Sequence, residues 1–470
     1  MENELAAYVS LASYLPDSQL ITLGPEFAAW TDQSNPDRER ALPPQRFATF
    51  FHEWIHYLHN VSTIHGLSAF ANLVHLWTEF RSTIGSDGLS RGGTSLSAEA
   101  QSRVRQKLVL LGGLRRSKRN VVPANVTESQ LSIESTHTRW DPIPEHDART
   151  WTIVCVARRR VEEGDPTGYR LEIGAHEILE SVAFMLEGSL AKLLNTMVED
   201  APIAPYCLLR LLAAHVSPAL DDREVLICGL ASLQGTSPAE GLVAILRLAQ
   251  ERKSAGEDVL HFLEEAQAAD LIAGKETAES WLKEVEAVFP LNEPMGHAVK
   301  ETTQTIRRNL EKRRRSPFFE LSLIELIAKN GAAMDEILKE FGACGILQKQ
   351  PGFEEDIERD RIYEFAVSRG ADMELSHGRR IMHFAFRFLY LHFFGDGTLR
   401  ATSTIPVGSG SRCPAYTACT LAPRIGTPEI CAEEPWLNTK TENIGSCWYA
   451  DAVCRVAPRE IAGPLYWGDA

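Results

Sequence analysis

Residues able to carry acid–base and metal chemistry crowd one short stretch, RFATFFHEWIHYLHN from Arg46 to Asn60: His52, Glu53, His56 and His59. At the angular step of an α-helix, taking His52 as zero, His56 falls at about 40°, His59 at about −20° and Glu53 at about 100°. Phe47, Phe50, Phe51, Trp54, Ile55 and Leu58 fill the remaining arc. One face is therefore aromatic and aliphatic, and the other carries imidazoles and a carboxylate. Two imidazoles one turn apart on a rigid helix share a single zinc ion at ~2.0–2.1 Å. A carboxylate at the next position is too far round to be a third ligand. It faces instead the water that such an ion activates, and takes its proton. His52-Glu53-Trp54-Ile55-His56 is thus HExxH, the pattern of zinc-dependent peptidases. The competing reading is a helix whose histidines merely face a solvated groove.

Zinc in a catalytic site takes a third protein ligand and leaves the fourth position to water. An HExxHxxGxxH arrangement requires Gly at 59 and His at 62, where this chain has His59 and Ser62. A glutamate from a later helix is the other solution. Glu79 in HLWTEFRS is the nearer candidate, although it falls towards the far end of its helix. Glu180 in GAHEILESVAFMLEG is the farther one. In that segment Ile178, Leu179, Val182, Met185 and Leu186 make an apolar stripe, with His176, Glu180 and Glu187 opposite. Glu177 is a further alternative on the same helix.

These two segments resemble the glutamate-zincin metallopeptidases, the gluzincins. In many of them the third ligand lies in an E-G-x-A segment on the helix behind the HExxH helix. Glu180-Ser181-Val182-Ala183 matches it apart from Ser for Gly. The resemblance covers two short blocks of the chain. It implies one zinc ion per chain held by His52, His56 and Glu180, with Glu53 as the general base of peptide-bond hydrolysis. His59 and His176 share faces with these ligands and are candidates for steadying the oxyanion.

The elements needed to hold such a site are legible in outline. Pro43-Pro44 opens the helix that ends near Asn60, and a second helix runs from about Leu67 to Arg81. GSDGLSRGGTSLS, Gly85 to Ser97, reads as a flexible loop, followed by a helix near Ala98 to Leu111. LITLG at Leu20 is a strand, as are QLSIES, WTIVCVARR and YRLEI between Gln130 and Ile173. An edge strand of that last group is a candidate peptide-binding element. A helix starts near Gly174, helical periodicity then dominates to about Phe394, and the Gly-, Pro- and Cys-rich tail reads as irregular. The expected fold is α+β and predominantly helical, a zincin-like core with a small sheet plus a large helical domain. The expected segments are a metallopeptidase domain over 1–200 with a flexible insert at about 84–127, a helical domain over 201–394, and a Cys-containing segment over 395–470.

Composition narrows the function classes. The chain has 470 residues, 44% hydrophobic and 24% charged, which suits a globular protein with sizeable cores. A net charge of −15 argues against general nucleic-acid binding. The basic runs RRSKR (Arg115 to Arg119) and KRRRS (Lys312 to Ser316) read as solvated surface. No apolar run is long enough for a bilayer, and the first residues lack a secretory pattern, so the expected location is cytoplasmic. Nine cysteines fit that location as mostly free thiols. Cys155, Cys207 and Cys228 read as core. Cys413, Cys419, Cys431, Cys447 and Cys454 crowd the tail without a CxxC knuckle.

The expectation is a zinc metallopeptidase of narrow or regulated specificity, with a protein or peptide substrate and room for a regulatory partner. The alternative is a helical interaction protein with a structural or degenerate zinc site.

Overall fold

The computed structural model describes residues 11–16, 19–27, 42–85, 88–112, 120–123, 125–142, 149–159, 168–197, 201–291, 293–331, 333–342, 344–353, 356, 359–364, 373–393, 398–408, 410–440 and 447–456. Helix α1 runs Pro44–Asn60 with Pro44 in its first turn, where a missing N–H costs nothing. Ahead of it, β1 (Ala12–Leu15) and β2 (Leu20–Leu23) form an antiparallel hairpin. Helix α2 (Ile64–Arg81) follows at a tight corner, capped by Thr63, whose hydroxyl accepts the Gly66 N–H at 3.0 Å. A Cβ at Gly66 would sit 2.3 Å from the Asn60 carbonyl oxygen, so only glycine lets the two helices meet so closely. Helix α3 (Ala98–Gly112) packs on α2.

Three antiparallel strands come next: β3 (Leu131–Pro142), β4 (Arg149–Arg159) and β5 (Gly168–Ile173). Their buried residues include Ile153, Cys155, Ala157, Leu171 and Ile173, and the sheet lies against helices downstream in the chain. Strand β5 leads directly into α4 (Ala175–Leu193), which packs across α1.

Helices α5 (Ile203–Tyr206), α6 (Leu208–Val216), α7 (Asp222–Ser232), α8 (Pro238–Ser254) and α9 (Val259–Ala273) follow. Beyond them lie α10 (Lys275–Val288), α11 (Pro294–Arg315), α12 (Phe319–Lys329) and α13 (Ala333–Phe341). Within the stretch read as helical, two strands interrupt: β6 (Gly345–Gln348) and β7 (Arg361–Glu364). Strand β6 pairs parallel with β2, giving a second sheet of order β1-β2-β6-β7. At four residues each, such strands are too short for a two-residue periodicity to register. Helix α14 (Met373–Leu391) then packs against α11.

The tail departs from the irregular reading. It contains α15 (Ala422–Gly426), α16 (Pro428–Glu433) and α17 (Trp448–Val456), the last packed on α14. The expected flexible loop is also pinned in its described part. Ser90 exchanges hydrogen bonds with Thr402, and Gly93 N–H donates to the Leu399 carbonyl. One of the two basic runs is not solvated surface: Arg313 is fully buried, its guanidinium held by Glu320, Pro317 and Ser62. The other, Arg115 to Arg119, lies outside the described residues.

The fold is thus α+β and predominantly helical. One cluster of buried apolar residues draws on each segment of the chain, from Ala12 to Val453. No helix among the described residues is long and apolar enough to cross a membrane.

Candidate metal centre

Helix α1 is enclosed on nearly all sides. Phe50, Phe51, Trp54, Ile55 and Leu58 are fully buried, and the imidazole face is covered as well, with His52 at 5% exposure and Glu53 at 9%. The histidines therefore do not sit on a wet groove. Helix α4 is what covers them. Its apolar stripe holds Ile178, Val182 and Leu186 in the core and turns Glu180 and Glu187 towards α1.

Three donor atoms converge there. His52 Nε2 and His56 Nε2 stand 3.1 Å apart, and Glu180 Oε2 lies 3.4 Å from each. Ligands held at ~2.0–2.1 Å from a tetrahedral zinc ion are about 3.3–3.4 Å from one another. The triangle thus has the size of one face of a zinc tetrahedron. Two imidazoles and a carboxylate are also the donor set that zinc accepts in catalytic sites. Among the described residues, no other group of three His, Cys, Asp or Glu donor atoms closes to within 4.8 Å.

The structure separates the glutamate candidates. Glu79 is committed elsewhere, in an ion pair with Arg103. Glu177 is buried and accepts the Gly174 N–H at 2.9 Å, capping α4. Only Glu180 joins the histidines. Ser181, which stands where the resembling families have glycine, is fully buried, donating to the Pro205 carbonyl at 2.8 Å and accepting the Leu209 N–H at 3.3 Å. It ties α4 to the segment carrying Tyr206.

Glu187 has a role that helical phase alone did not assign. Its Oε2 lies 3.0 Å from His52 Nδ1. That contact fixes the ring so that Nε2 faces Glu180, the usual way a carboxylate orients a metal-binding imidazole. Burial alone would push His52 down, but Glu180 and Glu187 overturn this and hold it well above 6.5. Burial likewise opposes ionisation of Glu180, and the two imidazoles reverse it, keeping that carboxyl well below 4.5. For Glu53 burial prevails, and its carboxyl is raised above 4.5 despite His52 and His56.

Glu53 lines a cavity of about 190 Å³ together with Tyr14, His56, Asn60, His176, Glu180 and Tyr206. The strand beside this cavity is β1, which supplies Ala12, Ser13 and Tyr14, whereas no residue of the β3-β4-β5 sheet lines it. Tyr14 stacks on the His56 ring, with centroids 6.5 Å apart and planes 9° from parallel, and its hydroxyl accepts from Asn60. Tyr206 meets the His52 ring edge-on at 5.9 Å. Neither tyrosine carried a sequence signal, since both are distant from HExxH in the chain. Of the two accessory histidines, His176 lies 3.8 Å from Glu180 Oε1, in the cavity wall. His59 is buried, with Nε2 3.3 Å from Glu320 Oε1. Compared with known proteins, the chain matches no family model, no curated protein and no solved structure.

Proposed function

We propose that the protein is a zinc-dependent metallopeptidase, with His52, His56 and Glu180 as the zinc ligands and Glu53 as general base. The observation that carries this reading is the triangle of donor atoms, 3.1 to 3.4 Å on a side, next to a buried glutamate that lines the adjoining cavity. Zinc bound there supplies a Lewis acid for a carbonyl oxygen and lowers the pKa of water towards neutrality.

The chain's own groups supply the rest. Glu187 orients His52 through Nδ1, and Tyr14 backs His56 by stacking. Glu53 accepts a proton at its carboxylate and returns it to the leaving amine. Its raised pKa brings it nearer to working pH, where a general base serves best. Tyr206 and His176 stand in the cavity wall beside Tyr14, His59 and Asn60, where a substrate oxygen would meet them. His59 is less suited to that task, because Glu320 holds its ring.

The cavity is small beside the ~300–1,000 Å³ of common ligand pockets, so it suits one side chain of a peptide rather than a long segment. This supports narrow specificity. Turnover of unstructured casein at the rate of a digestive protease would contradict it.

Zinc per chain, measured in wild type, His56→Ala, Glu180→Ala and Glu79→Ala, tests the ligand set. One zinc that is lost in the first two variants and kept in the third supports it. Peptide-library hydrolysis by wild type but not by Glu53→Gln then tests the reaction. Folded wild type that takes up no zinc would end the reading. Zinc with no hydrolysis of any peptide would leave a binding or interaction protein.

A further inference from the structure

The cavity beside the metal centre has two further imidazoles that the proposed reaction does not use. His59, at the end of α1, and His65, at the start of α2, both line it. His59 is 1% exposed and His65 7%. Each ring keeps one buried nitrogen, Nδ1 of His59 and Nε2 of His65, with no hydrogen-bond partner among the described residues. Resting on the peptidase reading, we propose that these two nitrogens receive a primary ammonium group of the substrate. The site would then select a lysine side chain or a free peptide N-terminus.

The ring partners fix where the protons sit. His59 Nε2 faces Glu320 Oε1 at 3.3 Å, and that carboxyl, brought down to about 2, is ionised and only accepts. The proton of a neutral His59 ring is therefore on Nε2, and Nδ1 presents a lone pair. His65 Nδ1 lies 3.0 Å from the Thr236 carbonyl oxygen, which also only accepts, so its lone pair is on Nε2. Burial outweighs these partners and holds both rings below 6.5, which leaves them uncharged near neutral pH. Two lone pairs cannot satisfy each other, and neighbouring donors are spent. The Thr63 hydroxyl donates to the His59 carbonyl at 2.7 Å, and the Asn60 amide to the Tyr14 hydroxyl and the Pro16 carbonyl. Buried acceptors without a partner are costly, and a ligand that brings N–H groups removes that cost.

The rest of the cavity suits an ammonium on an apolar stem. Ala12, Ala69 and Leu179 offer the stem apolar surface, and the carboxyl groups of Glu53 and Glu180 line the same wall. The net charge of −15 also favours the approach of cationic peptides. A carboxylate or phosphate on the substrate would instead meet two lone pairs and two acidic side chains.

The test uses the zinc-loaded wild type, labelled with nitrogen-15 at histidine. Addition of n-butylammonium should move the His59 Nδ1 and His65 Nε2 resonances, whereas tetramethylammonium, a cation without N–H, should not. In hydrolysis, a lysine peptide should exceed its norleucine counterpart in kcat/KM, or a free N-terminus its acetylated form, by at least about tenfold, since the poorer substrate leaves the acceptors unpaired. The pair that differs names the source of the ammonium, and His65→Phe should remove most of that preference. If His65→Phe does not fold, the wild-type resonances and ratios decide alone. No response to n-butylammonium, an equal response to tetramethylammonium, or cleavage with no preference in either pair would overturn the proposal and leave the peptidase reading standing. A selective response to n-butylammonium with no hydrolysis of any peptide would keep the ammonium site and remove the peptidase reading.

Discussion

At the scale of single residues, the carboxylates near α1 divide the work by environment. Glu180 is held ionised by two imidazoles, while Glu53 is pushed up by burial. Replacing Glu53 by Gln should leave zinc content unchanged and lower peptide turnover by roughly 10²–10⁴-fold, the usual worth of a positioned general base. Glu187→Gln should spare the fold and weaken zinc binding by about 10–100-fold, as removal of an orienting carboxylate does. Competition with a chelator measures this directly, and an unchanged affinity would deny Glu187 its positioning role.

At the scale of elements, the site depends on how α1 meets α2 and α4. A Cβ at Gly66 would press on the backbone of the α1 C-terminus, so Gly66→Ala should lower stability by about 1–3 kcal/mol. Thermal unfolding would register this as a lower midpoint, and a neutral result would mean that the corner yields. Much of this level was legible. The proline pair and the apolar phase located α1, and the stripe from Ile178 to Leu186 put Glu180 on the side of α4 opposite it, which faces α1. Glu187 was seen on that same face, but its contact with His52 crosses 135 residues and leaves no local pattern. The strand that walls the cavity was not legible for a similar reason. Strand β1 is short, and nothing in its composition says that it borders α1 rather than the sheet from Leu131 to Ile173.

At the scale of the whole molecule, a buried ionic group joins the helices. Glu320 takes Arg313 on one side and His59 on the other, all three fully buried or nearly so. Burial opposes its charge, but Arg313 and His59 win and bring the carboxyl down from 4.5 to about 2. An unfolded chain protonates this group first, so its contribution to stability is present above pH 4.5 and lost as pH falls towards 2. Burial holds His383 and His392 down at about 4, and they act in the same direction between 6.5 and that value. Acid unfolding of wild type should therefore begin below neutrality and steepen below pH 4.5. Glu320→Gln leaves Arg313 buried without its counter-charge and should cost about 3–5 kcal/mol near neutral pH. A denaturant midpoint unchanged in that variant would refute the account.

The pairing of β2 with β6 has a consequence for the order in which the protein is made. Leu20 lies beside Gly345, so the hairpin that walls the cavity gains its sheet partner only after more than three hundred further residues have been synthesised. Long-range parallel pairing of this kind is slow to form. A ribosome-bound chain that ends before Gly345 would already carry the HExxH helix and Glu180 while Tyr14 still lacked its anchored strand. If the proposed peptidase reading holds, such a chain would carry His52, His56 and Glu180 before it had its wall, and peptide cleavage should appear only after β6 has emerged.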